Sequence, residues 1–336
     1  MTRVATATRR RLAALAMCGL VCAWIGSPGD AVAQAGESNW PDRPVRFIVP
    51  FPAGSASDIV ARIVAQKLGA LLGQQFVIDN RSGASGNIGA EAVARAAPDG
   101  YTIGLATNST HAVAASMSSR LGYDPEADFT MVSMIGASPY VLAVHPSVPA
   151  TTVAELIALA KAKPHELSYG TAGQASLAHL AAELFSTMAG VDLAHIPYRS
   201  SAQAVLDATT GRIELQFGTL GPTLEQIRSK QLRALAVTSP QRIASLPDVP
   251  TMQEAGLKGY DVALWMALVM PAGVAPGIVA RLNATTRQAL TSPEVVAALE
   301  AQGMDPAPGT PEALARLIHD EIGKWRALVA STGLKP

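Results

Sequence analysis

The distribution of apolar and polar residues is most regular between positions 44 and 72. Residues 45–51 form a short apolar run rich in β-branched side chains, which predicts a buried parallel strand. Between Ile59 and Leu72 the apolar residues recur every three or four positions, which predicts an amphipathic helix. Ser55 and Asp58 have the capping-box spacing where that helix should begin. The stretch therefore predicts a strand, a tight turn and a capped helix.

The turn between this strand and this helix consists of small uncharged residues, namely Ala53, Gly54, Ser55, Ala56 and Ser57. At the start of a helix the backbone N–H groups lack partners within the helix, and the helix dipole places its positive end there. The turn therefore predicts a site for a carboxylate- or phosphate-sized anion, formed without a cationic side chain. An ordinary turn of an α/β protein has the same pattern and is the structural alternative.

The alternation of strands and helices continues along the chain and predicts an α/β fold with doubly wound parallel sheets. Thr152 and Glu155 mark a second helix start with capping-box spacing. Residues 136–139 are expected to form a turn between two strands. The predicted strands are residues 76–79, 101–106, 131–135, 140–144, 167–169, 194–197, 213–217, 232–238 and 260–269, and the predicted helices are residues 88–97, 153–162, 177–188, 202–209, 276–290, 293–302 and 311–331.

Two further polar turns follow predicted strands. Thr107 and Asn108 begin the first, and residues 170–176 form the second, where small and hydroxyl residues again precede a helix. Turns of this kind lie at the carboxyl edge of a parallel sheet, where α/β proteins bind ligands. We expect two α/β units joined near residues 136–142 and 252–262, with the C-terminal helices packed on the first. Helix starts that face a shared cleft predict a hinged binding protein.

Composition supports a folded protein and argues against some classes of partner. The chain has 336 residues, of which 49% are hydrophobic and 15% charged, as in a globular protein of two domains. Only 5% are aromatic, which does not fit a nucleic-acid surface of stacked aromatic and basic side chains. We therefore expect no nucleic-acid partner.

Residues 1–33 have the pattern of a cleavable signal peptide. Three arginines at positions 9–11 precede an apolar segment at residues 12–25, which is too short for a lasting membrane span. Ala-Val-Ala at residues 31–33 forms a cleavage site before Gln34. The sequence predicts a periplasmic protein that begins at Gln34, and it favours general secretory export over the twin-arginine route.

Both cysteines lie in this segment. Neither Cys18 nor Cys22 follows a small residue, so we expect no lipid anchor. The chain after cleavage has no thiol for catalysis, for a disulfide or for a metal site. Removing the segment's four arginines and one aspartate from 26 basic and 26 acidic residues leaves 22 and 25. The exported chain is mildly acidic, and any attraction for an anion must be local.

No pattern of catalysis or of cofactor binding stands out. The six histidines lack metal-ligand spacing, and we expect His179 and His195 to satisfy local hydrogen bonds. The serines near Gly54 and Gly83 do not form a nucleophile elbow, and no glycine-rich nucleotide loop occurs. Arg199 is either a partner for an anion or a solvated surface residue. We expect no enzyme activity, no metal and no cofactor.

Several short stretches together carry a family resemblance. They include residues 40–44 (WPDRP), 49–54 (VPFPAG), 86–89 (GNIG), 97–102 (APDGYT), 195–198 (HIPY), 232–238 (LRALAVT) and 246–251 (LPDVPT). In this order they make the chain similar to the Bug-type substrate-binding receptors of tripartite tricarboxylate transporters, over nearly the whole length after the signal peptide.

The resemblance implies a type II periplasmic-binding-protein fold, with two α/β lobes and a ligand cleft between them. It implies a first lobe of residues 40–136 plus 256–336 and a second lobe of residues 137–255. The expected ligand is a small carboxylate-bearing molecule, and the expected partners are the membrane permease subunits of such a transporter. We expect the receptor itself to be a monomer without catalytic activity.

Receptors of this family bind the carboxylate through the loops before two facing helices, by backbone amides, hydroxyl groups and water. On this chain the implied ligand-binding residues are Phe51, Ala53, Gly54, Ser55, Ala56, Ser57, Thr107, Asn108, Thr171, Ala172, Gly173, Gln174, Ala175, Ser176, Tyr198 and Gly218.

The chain departs from the family pattern at two places. Ser55 and Ala56 stand where consecutive glycines are usual, and Gly218 and Thr219 stand where an Asp–Asn pair is common. These departures favour a plain carboxylate, or a bulkier and less polar acid, over an amino acid. A receptor that signals to a membrane sensor kinase is the alternative function, and a secreted hydrolase is a more distant one. The sequence leaves open which carboxylate is bound.

Overall fold

The computed structural model describes residues 39–117, 121–171, 173, 176–198 and 201–332. The described residues from Pro41 onward belong to one compact unit, and the predicted signal peptide lies outside the described residues. None of the helices in this part of the chain combines the length and hydropathy needed to cross a bilayer. The strands are β1 Val45–Val49, β2 Phe76–Asn80, β3 Thr102–Thr107, β4 Phe129–Val144, β5 Ser168–Thr171, β6 Ala194–Pro197, β7 Leu215–Thr219, β8 Arg233–Val237, β9 Ala263–Pro271 and β10 Asp305–Pro306, and the helices are α1 Ala56–Leu72, α2 Asn87–Ala94, α3 Ala114–Met117, α4 Val153–Ala162, α5 Leu177–Ala189, α6 Ser201–Thr209, α7 Leu220–Arg228, α8 Pro276–Leu290, α9 Pro293–Glu300 and α10 Pro311–Thr332.

The strands form two sheets that share β4. The first sheet has the order β2-β1-β3-β9-β4, with β10 also paired to β4. In the second, β4 lies between β7 and β8, and β5 and β6 extend the sheet beyond β7. The α/β class is confirmed, but the expectation of purely parallel sheets is wrong. Strand β9 is antiparallel to both β3 and β4, and an apolar run alone does not fix the direction of a buried strand.

Strand β4 is continuous from Phe129 to Val144, so the predicted turn at residues 136–139 is wrong. Gly136 pairs with Pro306 of β10, and the close approach requires a glycine, because a Cβ atom there would lie 2.6 Å from the carbonyl oxygen of Asp305. Pro139 still pairs with Ala263 of β9, although it has no N–H to donate. The small residues therefore serve close strand packing within a strand that passes from one sheet into the other.

The registers place the carboxyl edges of the two sheets opposite each other. In the first sheet, Thr107 at the end of β3 pairs with Met266, and Pro139 pairs with Ala263 three residues away on the same strand. Strand β4 therefore leaves the first sheet at the edge where β1 and β3 end. In the second sheet β4 begins with Tyr140, which pairs with Thr219, the last residue of β7. Strand β4 thus passes from the first sheet to the second between Pro139 and Tyr140, a point called here the crossing of β4. The loops after β1, β3, β5 and β7 consequently converge on this crossing.

Local sequence accounts for most of the helix starts. Thr152 and Glu155 form the predicted capping box, and α4 has the predicted bounds, Val153–Ala162. Helices α8 and α9 begin with proline in the first turn, where its missing N–H costs nothing. The sequence analysis missed α7, because Gly221 and Pro222 in its first turn obscure the apolar period. This helix starts directly after β7, at the edge where the loops converge.

Thr238 joins the two chain segments that connect the sheets. It is fully buried, and its hydroxyl oxygen accepts a hydrogen bond from the Tyr140 N–H at 2.8 Å. The hydroxyl has a single hydrogen, and the Val262 carbonyl oxygen, at 2.6 Å, is a nearer acceptor for it than the Tyr140 carbonyl oxygen at 3.0 Å, which also accepts from the Thr238 N–H at 2.9 Å. Tyr140 follows the crossing of β4, and Val262 precedes β9, so one side chain ties both connections together.

Replacing the Thr238 hydroxyl tests this arrangement. Thr238→Val keeps the shape but leaves the Tyr140 N–H and the Val262 carbonyl without this partner, and we expect a loss of about 2–3 kcal/mol in the free energy of unfolding. Thr238→Ser keeps the hydroxyl and should lose only about 1 kcal/mol with the methyl group. Urea denaturation measures both variants. Equal losses for valine and serine would contradict a role of the hydrogen bonds.

Candidate functional site

The first candidate loop, residues 50–55, leads from β1 into α1. Ser55 is the N-cap of α1 as predicted, and its hydroxyl accepts a hydrogen bond from the Asp58 N–H at 3.3 Å. The reciprocal bond differs from the expected capping box, because the Asp58 carboxylate accepts from the Gly54 N–H at 2.9 Å. Gly54 has a φ of +80°, which glycine adopts readily and which directs this N–H toward the helix. The loop is therefore fixed by the first turn of its own helix.

Asp58 is buried and holds the loop from three directions. Its Oδ2 atom accepts from Gly54 and from the Arg62 guanidinium, both at 2.9 Å, and its Oδ1 atom accepts from the Asn80 amide at 2.9 Å. The same Asn80 amide also donates to the Phe51 carbonyl at 3.0 Å. The Arg62 hydrogen bond, followed by those from Gly54 and Asn80, lowers the pKa of Asp58 to about 2. Asp58 is therefore ionised at neutral pH and links β1, β2 and α1.

Part of the expected group of free backbone donors is already engaged. The Gly54 N–H binds Asp58, and the Ser55 N–H donates to the Pro52 carbonyl at 3.2 Å. Among the described residues, the Ala56 and Ser57 N–H groups have no hydrogen-bond acceptor, as befits the first two residues of a helix. The Ala53 N–H likewise has no acceptor among these residues, so the donors that remain for an anion at this loop are at Ala53, Ala56 and Ser57, rather than at all five residues.

Thr107 and Asn108 lie at the end of β3 but are buried. Both polar atoms of the Asn108 carboxamide are engaged, because its oxygen accepts from the backbone N–H of Trp265 at 2.8 Å and its nitrogen donates to Glu321 at 3.1 Å. Trp325 and Lys324 also donate to the Glu321 carboxylate. In this conformation Asn108 joins β3 to β9 and α10, and its contact with a ligand stays a prediction.

The second candidate loop, residues 171–176, leads from β5 into α5. Ser176 is the N-cap of α5, and its hydroxyl accepts from the His179 N–H at 3.3 Å. Gly173 has a φ of +108°, a conformation that glycine adopts without strain. Ala172, Gln174 and Ala175 lie outside the described residues, as does Arg199. The described part repeats the arrangement of strand, small-residue loop and serine-capped helix found at the first loop.

Thr171 is held by its neighbours on both sides. Its hydroxyl group lies 3.0 Å from the Gly173 carbonyl oxygen and 2.7 Å from Nε2 of His195. The His195 ring stacks on His179 with a centroid distance of 4.0 Å, and on Tyr169 with a distance of 5.0 Å. This stack of three rings joins β5, β6 and α5 beneath the second loop. The expectation that His179 and His195 take part in local contacts fits this geometry.

The carboxylate of Glu183 contacts two of the three stacked rings. Glu183, one turn after His179 on α5, accepts a hydrogen bond from the Tyr169 hydroxyl at 2.9 Å and lies 3.6 Å from Nε2 of His179. These two contacts, with the His179 contact the larger, lower the pKa of Glu183. Burial lowers the pKa of His195 to about 4, and the neighbouring His179 acts in the same direction. The ring that touches Thr171 is therefore neutral at neutral pH.

The remaining predicted residues occupy the same edge with different roles. Tyr198 follows β6, donates its N–H to the Thr171 carbonyl at 2.8 Å and its hydroxyl to Asp207 at 2.9 Å. Gly218 lies within β7, where a Cβ atom would meet the Thr223 hydroxyl at 2.2 Å. A cavity of about 20 Å³, with room for about one water molecule, lies against the ends of β5 and β7. Its lining includes Tyr140, Gly170, Thr171, Gln216, Gly218 and Thr219.

The described residues contain no group of three or more His, Cys, Asp or Glu side chains arranged to hold a metal ion. Neither candidate loop contains a lysine or an arginine. What the two loops offer are backbone N–H groups at helix starts, serine and threonine hydroxyls, and small side chains that leave room for a ligand. This chemistry suits an uncharged set of donors around an anion.

Two α/β units that share β4, with capped helix starts at their facing edges, define the class of two-lobed binding proteins with a type II periplasmic-binding fold. The chain belongs to the family of tripartite tricarboxylate transporter receptors, since the profile described as "Tripartite tricarboxylate transporter family receptor" matches residues 60–334.

Individual relatives agree with this assignment. Protein BugT of Bordetella pertussis is 38% identical over 322 residues, which cover 96% of this chain and 98% of BugT. The structure of Rpa4515 of R. palustris with adipate has a TM-score of 0.77 at 39% identity and covers 88% of this chain and 99% of that protein. MatC (Rpa3494) from Rhodopseudomonas palustris, with bound malate, has a TM-score of 0.72 at 30% identity, with 86% and 100% covered.

The role of Asp58 in holding the first loop gives a pH-dependent prediction. The pKa of about 2 lies below the ordinary value of 3.8, so the ionised carboxylate stabilises the fold by about 2 kcal/mol above pH 4. We expect Asp58→Asn to lose about that amount at pH 7, and the difference from the unmodified protein to shrink as the pH falls toward 2. Urea denaturation from pH 7 to pH 3 measures it.

Asp79→Asn is the matched control, because the Asp79 carboxylate forms a more exposed ion pair with Arg81 in the same lobe. Such pairs contribute about 0–1 kcal/mol. A stability loss for Asp58→Asn that stays constant between pH 7 and pH 3 would contradict stabilisation by the ionised carboxylate.

Proposed function

We propose that this receptor captures a small carboxylate-bearing molecule between its two lobes in the periplasm. It then delivers the ligand to the membrane subunits of a tripartite tricarboxylate-type transporter. The observation that carries the proposal is the convergence of two strand–loop–helix units of the same construction on the crossing of β4, each with a serine-capped helix start. Export by a cleavable signal peptide, with a first residue at Gln34, belongs to the same proposal.

The lobes meet at the crossing strands. We place the first lobe at residues 40–136 plus 256–336 and the second at residues 137–255, as the resemblance implies. Support comes from the pairing pattern, in which β4 changes sheets between Pro139 and Tyr140. The chain returns from the second sheet to the first between Thr251, which pairs with the second sheet, and Ala263, which pairs with the first.

The ligand's carboxylate lies between the first and second loops and is bound by neutral donors. The Ala56 and Ser57 N–H groups come from the first loop, and the Thr171 hydroxyl comes from the second. Each charge-assisted hydrogen bond contributes about 1.5–3 kcal/mol, and each helix end about 0.3–1 kcal/mol. Three or four such contacts approach the binding free energy of a micromolar complex, about 8 kcal/mol, without a salt bridge.

Two relatives support a carboxylate ligand. Rpa4515 was solved with adipate and MatC with malate, both of which carry two carboxylates. Their loops need not match residue by residue, but their shared fold makes a carboxylic acid the ligand class to test. Adipate is the first probe, because Rpa4515 is 39% identical to this chain.

Variants in the two loops test the position of the carboxylate. Ala56→Pro removes one free N–H at the first position of α1, where proline fits, because Ser55 before it is already extended, with φ −70° and ψ 161°. Thr171→Ala removes the hydroxyl. We expect each change to weaken adipate binding at least about tenfold in calorimetry, as for one lost charge-assisted hydrogen bond.

Arg199→Ala is the control and should change the affinity for adipate less than either loop variant. If Arg199→Ala abolishes binding while both loop variants bind normally, the anion lies elsewhere and the proposed site is wrong.

Closure of the lobes is a separate expectation. Two chain segments connect the lobes, and Thr238 ties them together, so the lobes can rotate about one hinge. Contacts made only in the closed state supply the difference in ligand affinity between the closed and open states. Small-angle scattering should show a smaller radius of gyration with saturating adipate. An unchanged radius at saturation would contradict a hinge.

A further inference from the structure

The hydroxyl of Thr171 has two neighbours but only one hydrogen. The Gly173 carbonyl oxygen, at 3.0 Å, can only accept a hydrogen bond. Nε2 of His195, at 2.7 Å, donates or accepts depending on the tautomer of the ring. Both contacts are hydrogen bonds at the same time in one arrangement only. In it, Thr171 donates to Gly173, and His195 carries its proton on Nε2 and donates to Thr171.

We propose that His195 is a positioning residue for ligand binding, which donates its Nε2–H to the Thr171 hydroxyl and so directs the Thr171 proton toward the second loop. The proposal rests on the proposed function, because it assumes that a ligand carboxylate binds Thr171. In the absence of a ligand the hydroxyl donates this proton to the Gly173 carbonyl oxygen. A carboxylate oxygen at the loop competes with that carbonyl for the same proton.

The alternative tautomer shows why the histidine matters. With the proton on Nδ1, Nε2 of His195 would accept from Thr171 at 2.7 Å, and the only hydrogen of the hydroxyl would point away from the loop. Thr171 would then present two lone pairs to an anion, which repel it. The tautomer of one ring therefore decides whether Thr171 is a donor or an acceptor toward the ligand.

The surroundings of His195 keep the ring in place and neutral. Tyr169 from β5 and His179 from α5 stack on it, with interplanar angles of 25° and 13°. Titratable groups that face it are these two side chains and Glu183, which accepts a hydrogen bond from Tyr169. Burial and the nearby His179 lower the pKa of His195 to about 4. From pH 5.5 to pH 8 the ring is therefore neutral, and the quantity to examine is which of its two nitrogens carries the proton.

Three substitutions distinguish the effect of the Nε2–H donor of His195 from the effect of its aromatic ring. His195→Phe keeps an aromatic ring in the stack but removes the Nε2–H. His195→Gln restores an N–H at a similar distance from the backbone. Thr171→Val removes the hydroxyl on which the proposal depends. Adipate affinity is measured by calorimetry at pH 7 for each variant and for the double variant His195→Phe, Thr171→Val.

We expect His195→Phe to weaken adipate binding about tenfold and His195→Gln to restore most of the affinity. In the Thr171→Val background, His195→Phe should have no further effect, because the histidine acts only through the hydroxyl. An equal additional loss in that background would show a general structural role of the ring and would overturn the proposal.

A second measurement does not depend on adipate. Nitrogen-15 NMR of the ligand-free protein, with His195 assigned by comparison with His195→Gln, reports which ring nitrogen carries the proton. We expect the Nε2–H tautomer between pH 5.5 and pH 8, and no titration of this ring in that range. The Nδ1–H tautomer of the neutral ring would overturn the proposal. If the unmodified protein does not bind adipate, the proposed ligand class is in question, while the tautomer still decides the role of His195.

Discussion

Strand β4 belongs to both sheets, and this shared strand determines where everything else lies. Because it leaves the first sheet at the carboxyl edge and enters the second beside the last residue of β7, the loops of both units must face its crossing. Thr238 then ties Tyr140 at this crossing to Val262 on the return segment. The directions of the strands thus determine where the candidate site lies, and the loop residues determine its chemistry.

The negative charge of Asp58 near the first loop is paired within the protein. A buried carboxylate at Asp58 would by itself repel an anionic ligand. Its oxygens are directed at Gly54, Arg62 and Asn80, and the Arg62 guanidinium offsets its charge. The N–H groups of Ala56 and Ser57, which lie between Gly54 and Asp58 in the chain, have no acceptor among the described residues. The internal carboxylate therefore shapes the loop while the outermost donors stay available.

Local features of the sequence predicted much of the fold. The serine and threonine caps at Ser55 and Thr152, and the helix bounds of α4 and α8, follow from interactions within a few residues, which sequence patterns record. The direction of β9 and the continuity of β4 depend on partners more than a hundred residues away, so no local pattern contains them.

The same distinction applies to the candidate site. Small polar loops before helices were recognisable, and the family resemblance predicted that they bind the ligand. The burial of Asn108 depends on Trp265 and Glu321, and the contact of Thr171 with His195 depends on the pairing of β5 with β6. These contacts decide which of the predicted side chains are free to meet a ligand, and only the assembled structure reveals them.

The position of β9 has a consequence for how the chain reaches its native state. This strand lies in the middle of the first sheet, between β3 and β4, yet more than a hundred residues separate it from either in sequence. Until residue 271 has been synthesised, β3 and the first half of β4 each lack their central neighbour. The second sheet forms from a continuous stretch beginning at Tyr140, so it is able to assemble earlier. The first sheet can therefore be completed only after the whole second sheet has been synthesised, and contacts of such high sequence separation tend to form slowly.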